Sequence, residues 1–118
     1  MQNFRNLLVW QKAHDLALLT YRITADFPRD EVFGLRNSLR KISVDIPAYI
    51  AEGCGKTSDV EFSRSLAAAL GFSNRLEYYA LIAHDLALIG ETPHAEYERA
   101  IIELKKILNG FRRKLSGE

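Results

Sequence analysis

Apolar residues recur at helical spacing through four consecutive segments, and two of the chain's three prolines, Pro28 and Pro93, fall between them. No alternation of period two runs long enough to argue a strand. The pattern predicts an all-α fold. The first helix covers about Val9 to Asp26, with Val9, Ala13, Leu16, Ile23 and Phe27 on one face. Pro28 ends it, because the residue before a proline is biased away from helix.

Asp30 is placed to cap a second helix from about Glu31 to Glu52. Leu35, Leu39, Ile42, Ile46, Ile50 and Gly53 form its apolar stripe. Pro47, inside it, removes one backbone hydrogen bond and should bend it. Gly53 or Gly55 offers a left-handed exit. Ser58-Asp59-Val60-Glu61 reads as a capping box. It opens a third helix that runs to about Ile89, stops at Gly90 and is roughly 48 Å long.

That third helix is apolar over an unusually broad surface. Phe62, Leu66, Leu70, Phe72, Leu76, Tyr79, Ile82, Ala83, Leu86 and Ile89 contribute, with three alanines in a row at Ala67, Ala68 and Ala69. Such a helix must be covered on more than one side, so other subunits are expected against it. Thr92-Pro93 reads as a cap followed by proline at the first helical position of a fourth helix. Its seam, Tyr97, Ile101, Leu104, Leu108, Phe111 and Leu115, alternates spacings of four and three like a coiled coil. Short connections between four helices predict an antiparallel up-down-up-down four-helix bundle, with a long third helix and a proline-bent second one.

The chain has 118 residues, which suits a single four-helix-bundle domain over 1–118. Its hydrophobic fraction of 47% and charged fraction of 26% are those of an ordinary globular chain. A net charge of +1 supplies no global attraction to nucleic acid or membrane, so either role needs a local patch. The apolar run Leu7 to Trp10 is too short for a signal-peptide core, and no stretch nears the ~20 apolar residues of a membrane span. Cys54 is the only cysteine, which excludes an internal disulfide and fits a cytoplasmic location.

Three stretches carry a family likeness. They are Leu7-Leu8-Val9-Trp10-Gln11-Lys12-Ala13, Phe27-Pro28 with Phe33-Gly34-Leu35, and Ile46-Pro47-Ala48 with Ile50-Ala51-Glu52-Gly53. On these the chain resembles the S23 or intervening-sequence proteins, four-helix bundles, some of them encoded inside bacterial 23S ribosomal RNA genes. The resemblance covers nearly the whole chain, and Ile46 to Gly53 is its most specific part. It implies a homo-oligomer, a ring of five. It also brings in a relative, the accessory protein of diversity-generating retroelements, a basic pentamer that works with a reverse transcriptase and nucleic acid. The chain departs from the family pattern at Asp45 and Tyr49, where serine and asparagine are usual. It departs again at Phe72 and Arg75, where serine and glutamate are frequent. Asp45, Ile46, Pro47, Tyr49, Glu52, Gly53 and Phe72 are therefore the candidate signature and interface residues.

Gly-Cys-Gly-Lys-Thr, residues 53–57, looks like a phosphate-binding loop. A Walker A loop ending at Gly55-Lys56-Thr57 needs its first glycine at position 50, which is Ile50, and it should follow a strand. The stretch reads instead as a turn between helices. Di-iron bundles use paired Glu-x-x-His motifs. Glu91 and His94 have that spacing but straddle a turn, and His14 and His84 belong to no ligand cluster. No arginine precedes a histidine by four to six residues, as in some small helical ribonucleases. Cys54 has no base beside it in sequence; a free thiol flanked by glycines reads as incidental, with exposure and oxidation left open. No catalytic residue, cofactor or metal is assigned.

Basic patches are the remaining binding feature. Arg36 and Arg40 share a face of the second helix with Lys41 beside them, and the fourth carries Lys105, Lys106, Arg112, Arg113 and Lys114. Lys41, Asp45, Tyr49 and Glu52 lie on one stripe of the second helix. Glu52, near that helix's C-terminus, is expected to meet a basic partner. Together these features predict a non-catalytic homo-oligomeric scaffold, without membrane association, that binds RNA or DNA weakly. The alternative is a structural or protein-interaction oligomer that binds no nucleic acid.

Overall fold

A computed structural model of the chain describes residues 3–31 and 34–117. Four helices make up almost all of it: α1 (Leu8–Thr24), α2 (Leu35–Gly53), α3 (Asp59–Asp85) and α4 (Glu91–Ser116). Short 3-10 turns at Phe4–Asn6 and Arg29–Glu31 precede α1 and α2, and there is no strand among the described residues. Val32 and Phe33, the latter part of the second likeness stretch, lie outside the described residues.

Contacts between helices give their directions. On α1 and α4, Lys12 meets Glu103 at 3.0 Å and Thr20 meets Tyr97 at 2.6 Å. On α3 and α4, Ser63 meets the Arg112 carbonyl at 3.4 Å, Glu77 meets Lys105 at 2.7 Å, and the His84 and His94 rings are 4.2 Å apart. On α2 and α3, Tyr49 meets Phe72 and Gly53 meets Phe62. In each case residue numbers rise on one helix as they fall on the other, so these pairs are antiparallel. Arg40 joins α2 to Thr24 of α1 and closes the square.

The core runs along the bundle axis. Leu39, Ile46, Ile50, Leu66, Leu76, Tyr97, Ile101, Leu104 and Leu108 are fully buried. The seam expected on the fourth helix therefore faces inward, apart from Phe111 and Leu115, which pack at its edge. Thr20 and Tyr97 are among its polar members, with Thr24, Ser43 and Ser73. The Thr20 hydroxyl donates to the Leu16 carbonyl at 2.8 Å, so the Tyr97 O–H donates to Thr20. Burial raises the Tyr97 pKa and keeps the phenol neutral.

Several helix ends differ from the sequence expectation. From the end of the 3-10 turn that contains Asp30, the Glu31 carboxylate accepts from the Leu35 amide at 3.1 Å and caps α2 in place of Asp30. Pro47 is accommodated inside an unbroken α2. Neither Gly53 nor Gly55 is left-handed. The chain leaves α2 through tight turns, with Gly55 bonded to the Glu52 carbonyl and Lys56 to the Gly53 carbonyl, both at 3.0 Å. Ser58 then caps α3 through the Glu61 amide at 3.2 Å, while the Glu61 carboxylate lies by the Thr57 hydroxyl.

The third helix stops four residues short of Ile89. Ala87, at φ 63°, is the left-handed residue, and its amide bonds to the His84 carbonyl. The Leu88 amide reaches the Ala83 carbonyl. This is a Schellman ending with alanine where glycine is usual. α4 begins at Glu91, which puts Pro93 at its third position. Proline costs no hydrogen bond there, since the first four amides of a helix have no partner within it.

Candidate nucleic-acid and subunit-contact surfaces

The eight candidate basic residues separate into engaged and open ones. Arg40 lies over the Tyr21 ring at 4.4 Å, and its guanidinium donates to Thr24 Oγ1 at 2.8 Å and to the Tyr21 carbonyl at 3.3 Å. It is a strut between α1 and α2. Lys105 is half-buried and paired with Glu77 at 2.7 Å across α3 and α4. Arg112 donates to Asn109 at 3.0 Å. Lys41, Lys106 and Lys114 are exposed and make no ion pair among the described residues. Arg113 is exposed on the last turns of α4, and Arg36 is half-buried on the first turn of α2. The structure thus divides the basic residues between α2 and α4. On α4, Lys114 lies in the last turn, where the helix dipole favours cations, and Lys106 almost three turns before the helix end.

The signature residues divide as well. Ile46, Pro47 and Gly53 are buried inside the bundle and act in packing α2 against its neighbours. Gly53 has a definite reason to be glycine: a Cβ there would lie 2.7 Å from Phe62 Cδ1 and 2.8 Å from Ser65 Cβ. Tyr49 and Phe72 meet edge to face with centroids 5.0 Å apart, and Arg75 stands over Phe72 at 5.9 Å. Asp45 is half-buried. Glu52 is exposed and lines a shallow cleft with Tyr49, Lys56, Glu61 and Arg64. It makes no ion pair among the described residues, although Lys56 and Arg64 line the same cleft.

The sequence left the exposure of Cys54 open. It is buried at the end of α2, and burial raises its thiol pKa, so it is neither exposed nor a ready nucleophile. It belongs to the buried core cluster, which the flanking glycines do not reveal. Among the described residues, no three His, Cys, Asp or Glu side chains come together to hold a metal. No helix among them is long and apolar enough to cross a membrane.

Sequence reasoning missed the histidine pair. His84 and His94 stack with planes 2° apart, joining the end of α3 to the start of α4. His84 Nδ1 is 3.0 Å from the Ile89 carbonyl and Nε2 is 2.7 Å from Glu91. With oxygen acceptors at both nitrogens, only the imidazolium donates to both. The Ile89 carbonyl is the main cause that raises the His84 pKa, and the Glu91 carboxylate adds to it. The signal was the tight turn between two histidines ten residues apart. At the other end of the bundle, His14 stacks on Trp10 with centroids 4.9 Å apart.

No curated protein matches the chain. The model of the 23S rRNA-intervening sequence protein family matches residues 5–110, which takes in every helix except the last turns of α4. By that match, and with the all-helical architecture, the chain belongs to the 23S rRNA-intervening sequence protein family.

Proposed function

We propose that the protein is a non-catalytic, homo-oligomeric helical scaffold that meets the phosphate backbone of RNA or DNA along the C-terminal half of α4. The observation that supports this reading is the charge there. From Lys105 to Gly117 the chain carries five cations and no carboxylate. Lys106 and Lys114 stand exposed with no ion pair among the described residues. Repetition in an assembly multiplies such a surface, and each phosphate contact adds affinity that salt removes.

The test is fluorescence anisotropy with a labelled single-stranded RNA. Two contacts per chain predict about a sevenfold loss of affinity between 50 and 200 mM salt. Lys106→Glu with Lys114→Glu should abolish low-salt binding without changing subunit number. No binding by the wild type at low salt sinks this reading and leaves a protein-interaction oligomer.

A further inference from the structure

Two open cavities lie end to end in the groove between α3 and α4, and Asn74 and Lys105 line both. One, of about 550 Å³, reaches Lys106 and Asn109 toward the cationic end of α4. The other, of about 370 Å³, reaches Tyr78, Leu81 and Glu98.

The first cavity is a donor site. Lys105 is held by Glu77 at 2.7 Å, so that cation is already neutralised. Lys106 is exposed and makes no ion pair among the described residues. The Asn109 side-chain oxygen accepts from Arg112 at 3.0 Å, which leaves the Asn109 amide N–H groups to donate elsewhere. No carboxylate lines this cavity. An ammonium and an amide donor in such a place suit a phosphate oxygen.

The second cavity offers a ring and polar edges. Tyr78 is tilted against Tyr79 with centroids 6.4 Å apart, yet 57% of it is exposed. Leu81, one turn further on, extends the apolar surface and is 43% exposed. Asn74, one turn before Tyr78, is exposed and both donates and accepts, whereas the Glu98 carboxylate only accepts. Glu98 precedes Lys106 by eight residues, roughly 12 Å along α4, so its charge stands away from the donor end. An exposed aromatic ring flanked by hydrogen-bonding side chains is what holds an unstacked base: the ring stacks on its face and the polar groups meet its edge.

From this we infer that the groove between α3 and α4 binds an unpaired nucleotide, with its phosphate at Lys106 and Asn109 and its base on Tyr78 between Asn74 and Glu98. The inference rests on the nucleic-acid reading above and narrows its ligand to a single strand. In a duplex the base faces are stacked on one another, and only the phosphates would reach this groove. The groove belongs to one chain, so it recurs once per subunit, including in the ring of five that the family likeness implies.

Fluorescence anisotropy with one labelled RNA strand, alone and annealed to its complement, tests this at low salt. The single strand should bind more tightly than the duplex. Tyr78→Ala should weaken single-strand binding about tenfold, the loss of one stacking contact, and leave duplex binding unchanged. Its salt dependence should match the wild type, because no phosphate contact is removed. Tyr78→Phe keeps the ring and should bind like the wild type. Lys106→Glu should weaken both ligands and make the salt dependence shallower. Circular dichroism and sedimentation equilibrium should give Tyr78→Ala the fold and subunit mass of the wild type. Equal affinity for strand and duplex, or no effect of Tyr78→Ala, overturns the groove and leaves the phosphate-backbone reading standing. A changed subunit mass in Tyr78→Ala makes Tyr78 a contact between copies and overturns the groove as well. No binding of either ligand overturns both readings.

Discussion

The backbone of Gly53 lies against the ring of Phe62 so closely that a single methyl group would come within 2.7 Å of Cδ1. Ser65, one turn further along α3, blocks the same position from the other side at 2.8 Å. Neither neighbour is the loose end of a long side chain, so α2 and α3 would have to separate. Gly53→Ala should therefore destabilise by about 1–3 kcal/mol despite alanine's better helix propensity. Urea unfolding checks this. Gly55→Ala, where the nearest atom is the Glu52 carbonyl at 3.4 Å, should cost much less.

Ala87 gives the opposite sign. It holds a left-handed conformation at φ 63°, which costs a residue with a Cβ roughly 1–2 kcal/mol. Glycine removes that strain but gains freedom in the unfolded chain. Ala87→Gly should stabilise by about 0.5–1 kcal/mol, a Tm rise of roughly 3–6 °C. A lower Tm would show that Ala87 is held by more than the turn.

Thr20 and Tyr97 form an asymmetric pair. Thr20→Val leaves the Tyr97 O–H buried without an acceptor and should cost about 1–3 kcal/mol. Tyr97→Phe leaves Thr20 still bonded to the Leu16 carbonyl and should cost less, about 1 kcal/mol. The double variant should be more stable than Thr20→Val alone. Three urea titrations against the wild type decide it.

His84 makes stability depend on pH. Its folded pKa is raised above the ordinary 6.5, first by the Ile89 carbonyl and then by Glu91. A raised histidine contributes stability that is whole below the unfolded value and lost as pH rises through the folded one. Tm should therefore fall between pH 6.5 and the folded His84 pKa, and His84→Gln should flatten that step. The ring is half-buried but its Glu91 partner is exposed, so the step is small, and the NMR titration of the His84 ring is the sharper measurement. A midpoint at or below 6.5 would contradict the geometry.

Glu52 was expected to meet a basic partner. The structure places it in an open cleft that Lys56 and Arg64 also line, with no ion pair among the described residues. Glu52→Ala should change stability by no more than about 0.5 kcal/mol if the cleft stays open in the assembly. A larger loss, together with a changed subunit mass, would mean that a second copy closes the cleft.

Much of the fold was legible because its causes are local. The apolar spacing marks four helices, and Ser58 caps α3 where the Ser-x-x-Glu spacing places the cap. The stretch Gly53 to Thr57 is a turn feeding that cap, as the missing glycine at Ile50 requires. The end of α3 was misplaced because Gly90 is the stronger signal by residue type. The stop falls at Ala87 instead, where the turn lets Leu88 and Ile89 fold back to pack at the core. Residue type alone does not show that an alanine will be held left-handed.

The basic residues were legible as a list and not as a surface. Periodicity, caps and charge act over one or two turns, so the helices, the reversals between them and the supply of cations can be read from residue order. The closed bundle is what holds Arg40 on Tyr21 and Thr24, pairs Lys105 with Glu77, buries Cys54 and leaves one face of α3 exposed. Those outcomes depend on how each helix is rotated about its axis and registered against its neighbours. Contacts such as Gly53 with Phe62 and Thr20 with Tyr97 set that rotation, between residues that meet only after the bundle has closed.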